Sequence, residues 1–465
     1  MMMNIPLRSR LESLFNVRRD EIVPVLLAGL FFFCVLTALM VLRPARDALG
    51  MQRGIEAVRW LFMGTALITL LVNPVFGWLV SRYKRLQFIA VTYVFFALSL
   101  LGFHLLLVFA PDAVGTASGQ VFYVWFSVFN LFATMLFWAL MADRFSLEQS
   151  KRFFALIAVG GTLGAIFGPW LASVLARPLG TPALLLVSAG FLLLALWAAW
   201  GAARSQAAVR EDPAEDAANP ESGAQAREPA PEDQAIIGGS AWQGFKEVFR
   251  SPYLLGIAAF VIAMTVMATL LYFTRLQMVA ALGGDIDLRT TVFARIDLIT
   301  QLATLFLQVF VAGRVMKRFG VHVTLMLLPL TAALGFAGLA MVGTLAALIV
   351  FEAAFRAVQR ALARPARETL YTVVSREDKY KSKAFIDTFV YRGGDVLGAQ
   401  LEGILGRLGM GLAGLASVAI PLALAWAALG WWLGRAQQRL VVQRVSSLPA
   451  PDAGPGEFSD TRSPS

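Results

Sequence analysis

The chain has 465 residues, of which 58% are hydrophobic and only 15% charged, with a mean hydropathy of +0.68. Ordinary soluble domains carry about 25% charged residues, so a string of such domains is excluded and an integral membrane protein is indicated. The formal charge is +10 and the pI about 10.0, yet so apolar a chain does not fit nucleic-acid binding, and the question becomes where the positive charge sits. The lone cysteine, Cys34, excludes an intramolecular disulfide and any cysteine-based metal site. The two histidines, His104 and His322, are too far apart in sequence to suggest a zinc set. No G-x-x-x-x-G-K-[ST] run occurs, so a P-loop ATPase is not supported. No cofactor and no metal are expected.

Residues 1–21 are basic and polar and lead into an apolar run long enough to stay in the membrane, so no cleaved signal peptide is expected. A membrane helix needs about 20 apolar residues. Twelve such stretches are predicted: 22–43, 58–80, 86–110, 117–141, 152–176, 182–203, then 254–281, 290–313, 321–343, 345–368, 383–406 and 412–434. Residues 205–240, rich in Ala, Pro, Glu and Gln, are expected to form a disordered linker. The tail 441–465, rich in Pro, Ser and Gly towards its end, is expected to be disordered too. The predicted fold is an all-α membrane protein of twelve transmembrane helices, with six-helix bundles over 22–204 and 241–440 related by a pseudo-two-fold axis.

Basic residues orient this plan. All seven lysines and most loop arginines fall on the side that holds the N-terminus, which makes that side cytoplasmic. Both termini then lie inside, and an even number of spans is required. The halves also repeat each other. Gly77-Trp78-Leu79-Val80-Ser81-Arg82, followed by Arg85, matches Gly313-Arg314-Val315-Met316-Lys317-Arg318, while Arg43 corresponds to Arg275 and Ser146 to Ser375, at nearly one offset. Both basic turns resemble the inter-helix signature of the major facilitator superfamily, with Ser81 where an acid is usual. Gly77, Arg82, Arg85, Gly313, Lys317 and Arg318 are therefore the expected gating turns.

Charge inside a membrane helix costs about 2.5–3.5 kcal/mol per Arg or Lys at its centre, so each instance is a functional candidate. The tenth stretch carries Glu352, Arg356, Arg360, Arg364 and Arg367 at spacings that place them on one face of an α-helix. Arg364 and Arg367 can alternatively snorkel to headgroups. Asp387 and Asp395 in the eleventh stretch are further internal acids, beside Arg392. The first stretch ends in Leu42-Arg43-Pro44-Ala45-Arg46-Asp47, where Pro44 is expected to kink or break the helix. Arg275 mirrors this site in the other half, and Arg295, Asp297 and Gln301 add polarity to the eighth stretch, with Asp297 and Gln301 on one face. Gly160, Gly164 and Gly168, and in the other half Gly394 and Gly398, have the small-xxx-small spacing of close helix packing. A cavity lined by guanidiniums suits phosphate or carboxylate.

Three segments resemble the ATP/ADP translocase-like nucleotide transporters of plastids and obligate intracellular bacteria. They are Leu42-Arg43-Pro44-Ala45-Arg46-Asp47-Ala48-Leu49, the block Phe137-Trp138, Glu148, Lys151-Arg152-Phe153 and Gly160, and the block from Pro365 through Glu368, Tyr371, Ser375, Glu377, Lys379, Lys381, Lys383-Ala384 and Ile386-Asp387 to Arg392-Gly393. Arg46 and Arg367 stand where that family has lysines, keeping the charge but replacing a point charge by a planar fork.

The resemblance implies a major facilitator-type carrier that exchanges nucleotides or imports them with protons, and no enzyme. The expected anion-binding residues are Arg43, Arg46, Arg275, Arg356, Arg360 and Arg367, with Asp47, Glu352, Asp387 and Asp395 as charge partners or proton carriers. Expected partners are a small anionic substrate and the lipid bilayer, with no nucleic acid, for a monomer in a bacterial inner membrane. A facilitator of other organic anions or drugs, and a non-transporting scaffold or receptor, stay open as alternatives.

Overall fold

The computed structural model describes residues 21–82, 85–110, 113–145, 147–210 and 241–446. Residues 1–20, 83–84, 111–112, 146, 211–240 and 447–465 lie outside the described residues, and most of the expected linker and tail with them; residues 205–210 and 441–446, expected to be disordered, instead continue helices. The described residues are almost wholly helical and contain no strand. The N-terminal half comprises α1 (Ile22–Gly50), α2 (Ile55–Arg82), α3 (Arg85–Phe109), α4 (Ala113–Arg144), α5 (Leu147–Leu179) and α6 (Thr181–Arg210). A short helix, α7 (Ala241–Arg250), leads into α8 (Pro252–Ala280), α9 (Ile286–Phe310) and α10 (Ala312–Val342). There follow α11 (Leu345–Val358), α12 (Arg364–Leu370), α13 (Arg376–Phe385), α14 (Tyr391–Arg407) and α15 (Leu412–Ser446).

Ten of these helices are long and apolar enough to cross a membrane. The predicted tenth and eleventh spans are instead composite. Between α11 and α12, Gln359–Ala363 form a π-helical turn, in which the Arg364 N–H donates to the Gln359 carbonyl. Pro365 explains its place, because proline lacks the N–H for an α-turn and crowds the carbonyl four residues back. A second π-turn, Ile386–Val390, joins α13 to α14, with the Tyr391 N–H donating to the Ile386 carbonyl.

Two expectations about breaks need correction. Pro44 does not end the first helix: α1 runs on to Gly50 with Pro44 buried inside it. The adjacent Ala45 is buried in a cluster with Val41, Ala172, Ala176, Leu184 and Ala294, inside the bundle. The expected gating turns are also largely helical. Gly77 and Arg82 lie in α2, Arg85 opens α3, and Gly313, Lys317 and Arg318 lie in α10 ahead of a break at Gly320 (φ 73°), a left-handed conformation that favours glycine.

Each half has its own apolar core. One gathers Phe31, Tyr93, Phe129 and Phe137, the other Phe260, Leu328, Phe355 and Trp426. Two further clusters bridge the halves, one through Met51, Val58, Tyr123, Tyr272 and Phe293, the other through Val41, Ala176 and Ala294. The first draws on the ends of α1 and α8 and the starts of α2, α4 and α9, the second on the ends of α1 and α5 and the starts of α6 and α9, and both lie at the end of the bundle away from the described termini. Polar links reinforce that end: Arg59 Nε lies 2.7 Å from Glu402 Oε2, and the Thr181 N–H donates to Asp287 at 2.6 Å.

The innermost helices are α1 and α8, with 61% and 78% of their apolar windows buried. Between helices in lipid there is little hydrophobic driving force, so close backbone packing has to supply the cohesion. Glycines permit it. A Cβ on Gly160 would fall inside the shell of the Gly29 carbonyl oxygen, and one on Gly164 inside that of Phe33. At the equivalent places in the other half, Gly394 and Gly398 lie against Thr265 and Val266 of α8.

Gly160→Ala is therefore expected to lower the thermal unfolding midpoint of the detergent-solubilised protein, at a cost of about 1–3 kcal/mol from overpacking. Gly102→Ala, where a Cβ meets nothing within 4 Å, should leave it unchanged or raise it.

Candidate functional site

The site is built around Arg275, a guanidinium with no exposure in the last third of the most enclosed helix. Its Nη2 donates to Asp47 Oδ2 of α1 at 2.7 Å. Its Nη1 donates to Asp297 Oδ1 of α9 at 3.1 Å and to Glu352 Oε1 of α11 at 3.0 Å. Three carboxylates around one guanidinium leave two negative charges over. Each acid accordingly faces a second arginine. Arg46 Nε donates to Asp47 Oδ1 at 2.9 Å, Arg43 Nε lies 3.6 Å from Asp297 Oδ2, and Arg356 Nε lies 3.8 Å from Glu352 Oε1.

A tyrosine pair completes the inner layer. The Tyr272 hydroxyl donates to Asp47 Oδ1 at 3.0 Å and shares a 2.9 Å hydrogen bond with the Tyr123 hydroxyl. Arg46 in turn lies over the Tyr123 and Phe126 rings at 4.8 and 5.2 Å, where cation–π attraction adds to its ion pair.

A fifth arginine has no ion pair among the described residues. Arg360, within the first π-turn, donates from Nη1 to the Gln301 amide oxygen at 2.7 Å. Gln301 completes the link to the other half by donating to the Met40 sulfur at 3.8 Å. Arg43, Arg356 and Arg360 lie within electrostatic reach of one another and repel. Arg43 and Arg356 keep 20% and 16% of their side-chain surface exposed, unlike the sealed carboxylates behind them. Five guanidiniums against three carboxylates leave the site electropositive. Arg356 Nε, Asp297 Oδ2 and Glu352 Oε2 are buried without a hydrogen-bond partner among the described residues, so the layer is not saturated by protein groups.

The expected single stripe along the tenth span is divided. Glu352, Arg356 and Arg360 reach the site, but the π-turn shifts the phase of the helix beyond it. Arg364 is exposed, and Arg367 turns to a separate cluster, 3.4 Å from Asp387 and 3.8 Å from Glu368, with Lys383 paired to Glu368. Asp395 pairs with Arg392 at 3.4 Å and sits, with Tyr391, within reach of the Arg356 charge. Arg295 is exposed on the opposite side of α9 from Asp297.

Of the ten expected binding and partner residues, Arg43, Arg46, Asp47, Arg275, Glu352, Arg356 and Arg360 converge. Arg367 with Asp387, and Asp395, are placed apart. Sequence reasoning noted Asp297 and Gln301 only as polarity, although their shared helix face was the signal. It missed Tyr123, Tyr272 and the Arg59–Glu402 pair. Glu402, a carboxylate in an apolar stretch, was the one with a legible signal.

The sequence profile of the Major Facilitator Superfamily matches residues 25–358. No curated relative matches the chain significantly. Several solved transporters share the fold. A variant of the nucleoside transporter NupG superposes with a TM-score of 0.54 at 13% identity, covering 90% of this chain and 99% of that one. A POT family transporter in complex with a thioalcohol-conjugated peptide gives 0.56 at 12% identity, over 89% and 96%. A bacterial homologue of the human lysosomal transporter Spinster, in an inward-facing and unoccupied conformation, gives 0.56 at 13% identity, over 90% and 97%. With the profile spanning most of its length and the twelve-span architecture described above, this chain is a member of the major facilitator superfamily.

Proposed function

We propose that the chain is a secondary active transporter of nucleotides or related phosphorylated anions, working by alternating access of its two halves, by exchange or proton symport. The observation that carries this reading is the surplus of guanidinium over carboxylate at the junction of α1, α8, α9 and α11. Guanidiniums offer paired planar donors that match phosphate oxygens, and several of them favour a polyanion over a monocarboxylate. Arg43, Arg356 and Arg360, the least compensated and partly exposed members, are the substrate contacts in this scheme. The resemblance of the 42–49 and 365–393 segments to ATP/ADP translocase-like carriers supports the nucleotide class.

Arg275, Asp47 and Tyr272 have a different role in the cycle. They tie α8 to α1 at the end where the halves meet and act as a latch that opens when the other end closes. With both termini in the cytoplasm of a bacterial cell, the latched end faces outward and the site is reached from inside. The basic turns with Arg82, Arg85, Lys317 and Arg318 then close the inner end in the alternate state. In this scheme Asp387 and Asp395, each beside an arginine, carry the coupling proton.

In proteoliposomes, labelled ATP or ADP should accumulate or undergo counterflow, and Arg356→Ala or Arg360→Ala should cut the rate by about tenfold or more, the scale of one charged hydrogen bond. Absence of flux with every nucleotide tested, for protein of verified fold, would refute the substrate class and leave the family intact.

Asp47→Asn removes the acid that links the halves and leaves Arg275 partly unanswered. A loss of about 3 kcal/mol is expected, at the low end for a broken buried pair because Asp297 and Glu352 remain. In a Cys34→Ala background, a cysteine introduced at buried Met51 should react faster with a water-soluble thiol reagent once Asp47 is changed. Unchanged labelling would rule out the latch.

A further inference from the structure

A second concentration of positive charge lies well away from the central site, where the middle of α10 meets the last turns of α15. Here a cleft of about 560 Å³ is lined by His322, Arg435, Gln438, Arg439, Val442 and Gln443. The four residues Arg435, Gln438, Arg439 and Val442 follow an i, i+3, i+4, i+7 pattern and are all exposed, so they form one outward face of α15. No carboxylate lines the cleft, and neither arginine has an ion pair among the described residues.

The backbone brings His322 to this face. Gly320, at φ 73°, turns α10, and the missing side chain of Gly434 lets the two backbones touch, since a Cβ there would collide with His322 Cα. The His322 ring then stands edge-on to Trp431 at 4.9 Å and lies 3.4 Å from the Gln438 amide nitrogen. Arg435 stacks over the same Trp431 at 4.3 Å, which orients its fork.

Depth along α15 identifies what meets this face. At 1.5 Å per residue, Trp431 lies about 30 Å from the start of the helix at Leu412, the thickness of the hydrocarbon core. Trp431 and its neighbour Trp432, 45% exposed, therefore sit at the level of an aromatic belt. Arg435 and Arg439 follow one and two turns further out, at the level of lipid phosphates. Val442, 66% exposed, adds an apolar edge.

We propose that this cleft is a binding site for the phosphate of an anionic phospholipid, held by the Arg435 and Arg439 guanidiniums with His322 and Gln438 as hydrogen-bonding neighbours. The site does not depend on what the central arginines bind.

The test is native mass spectrometry of the purified full-length protein titrated with phosphatidylglycerol. The wild-type chain should retain a bound phosphatidylglycerol that Arg435→Ala/Arg439→Ala binds about tenfold more weakly or worse. Arg435→Lys/Arg439→Lys should retain part of the binding, phosphatidylcholine should not replace the lipid, and millimolar inorganic phosphate should not displace it. Both arginines are exposed, so the double substitution leaves the packed core untouched. Undiminished binding in the alanine pair would overturn the site. So would an equal loss in Arg204→Ala/Arg250→Ala, two exposed arginines at the same end. Equal retention of phosphatidylcholine would overturn the charge requirement, and displacement by inorganic phosphate would overturn the lipid as the source of the anion.

Discussion

A guanidinium sealed from water inside a membrane bundle must have its charge answered by its neighbours, and Arg275 imposes that condition on the whole centre of this protein. Moving one ion out of water costs several kcal/mol even after relaxation. Three carboxylates meet that demand and exceed it, and the excess in turn calls for Arg43, Arg46 and Arg356, one to each acid. The result is an alternating array in which the inner charges are sealed and the outer ones keep some access. Four helices from both halves are committed to it. The array also separates two kinds of arginine by chemistry: those whose charge is already spoken for, and Arg360, whose strongest partner is a neutral amide.

Cohesion elsewhere comes from contact rather than charge. Lipid tails are as apolar as leucine, so the helices gain from fitting closely more than from hiding hydrophobic surface. Gly160 and Gly164 against α1, and Gly394 and Gly398 against α8, provide that fit at matching places in the two halves. These same two inner helices carry Asp47 and Arg275. The backbone contacts therefore set the positions from which the buried ions meet, and the duplication of the fold is also a duplication of that scaffold.

Much of this was legible in the residues themselves. Apolar runs about 20 residues long define spans with little ambiguity, and a charge inside such a run stands out because it is expensive. That is why Arg43, Arg275, Glu352, Arg356 and Arg360 could be singled out together. The partners were harder. Tyr123 and Tyr272 look like ordinary aromatic packing until the fold places their hydroxyls beside Asp47. The Arg59–Glu402 pair spans the two halves, and no local pattern reports a contact of that separation. Pro44 is a case where local preference and bundle compete: it disfavours helix, yet buried inside the bundle it lies within a helix that runs on to Gly50. The composite tenth and eleventh spans escaped because hydropathy is blind to hydrogen-bond register.

That register has a consequence for the electrostatics of the central site. As a continuous α-helix, the segment from Glu352 to Arg367 would present four guanidiniums along one face. One wider turn at Gln359–Ala363 sends Arg364 outward and Arg367 to the acids of a neighbouring segment. The local potential is thus fixed not by how many arginines the helix contains but by the hydrogen-bond register of one turn. A shift of backbone register, made by uncharged groups, acts here as the selector of net charge.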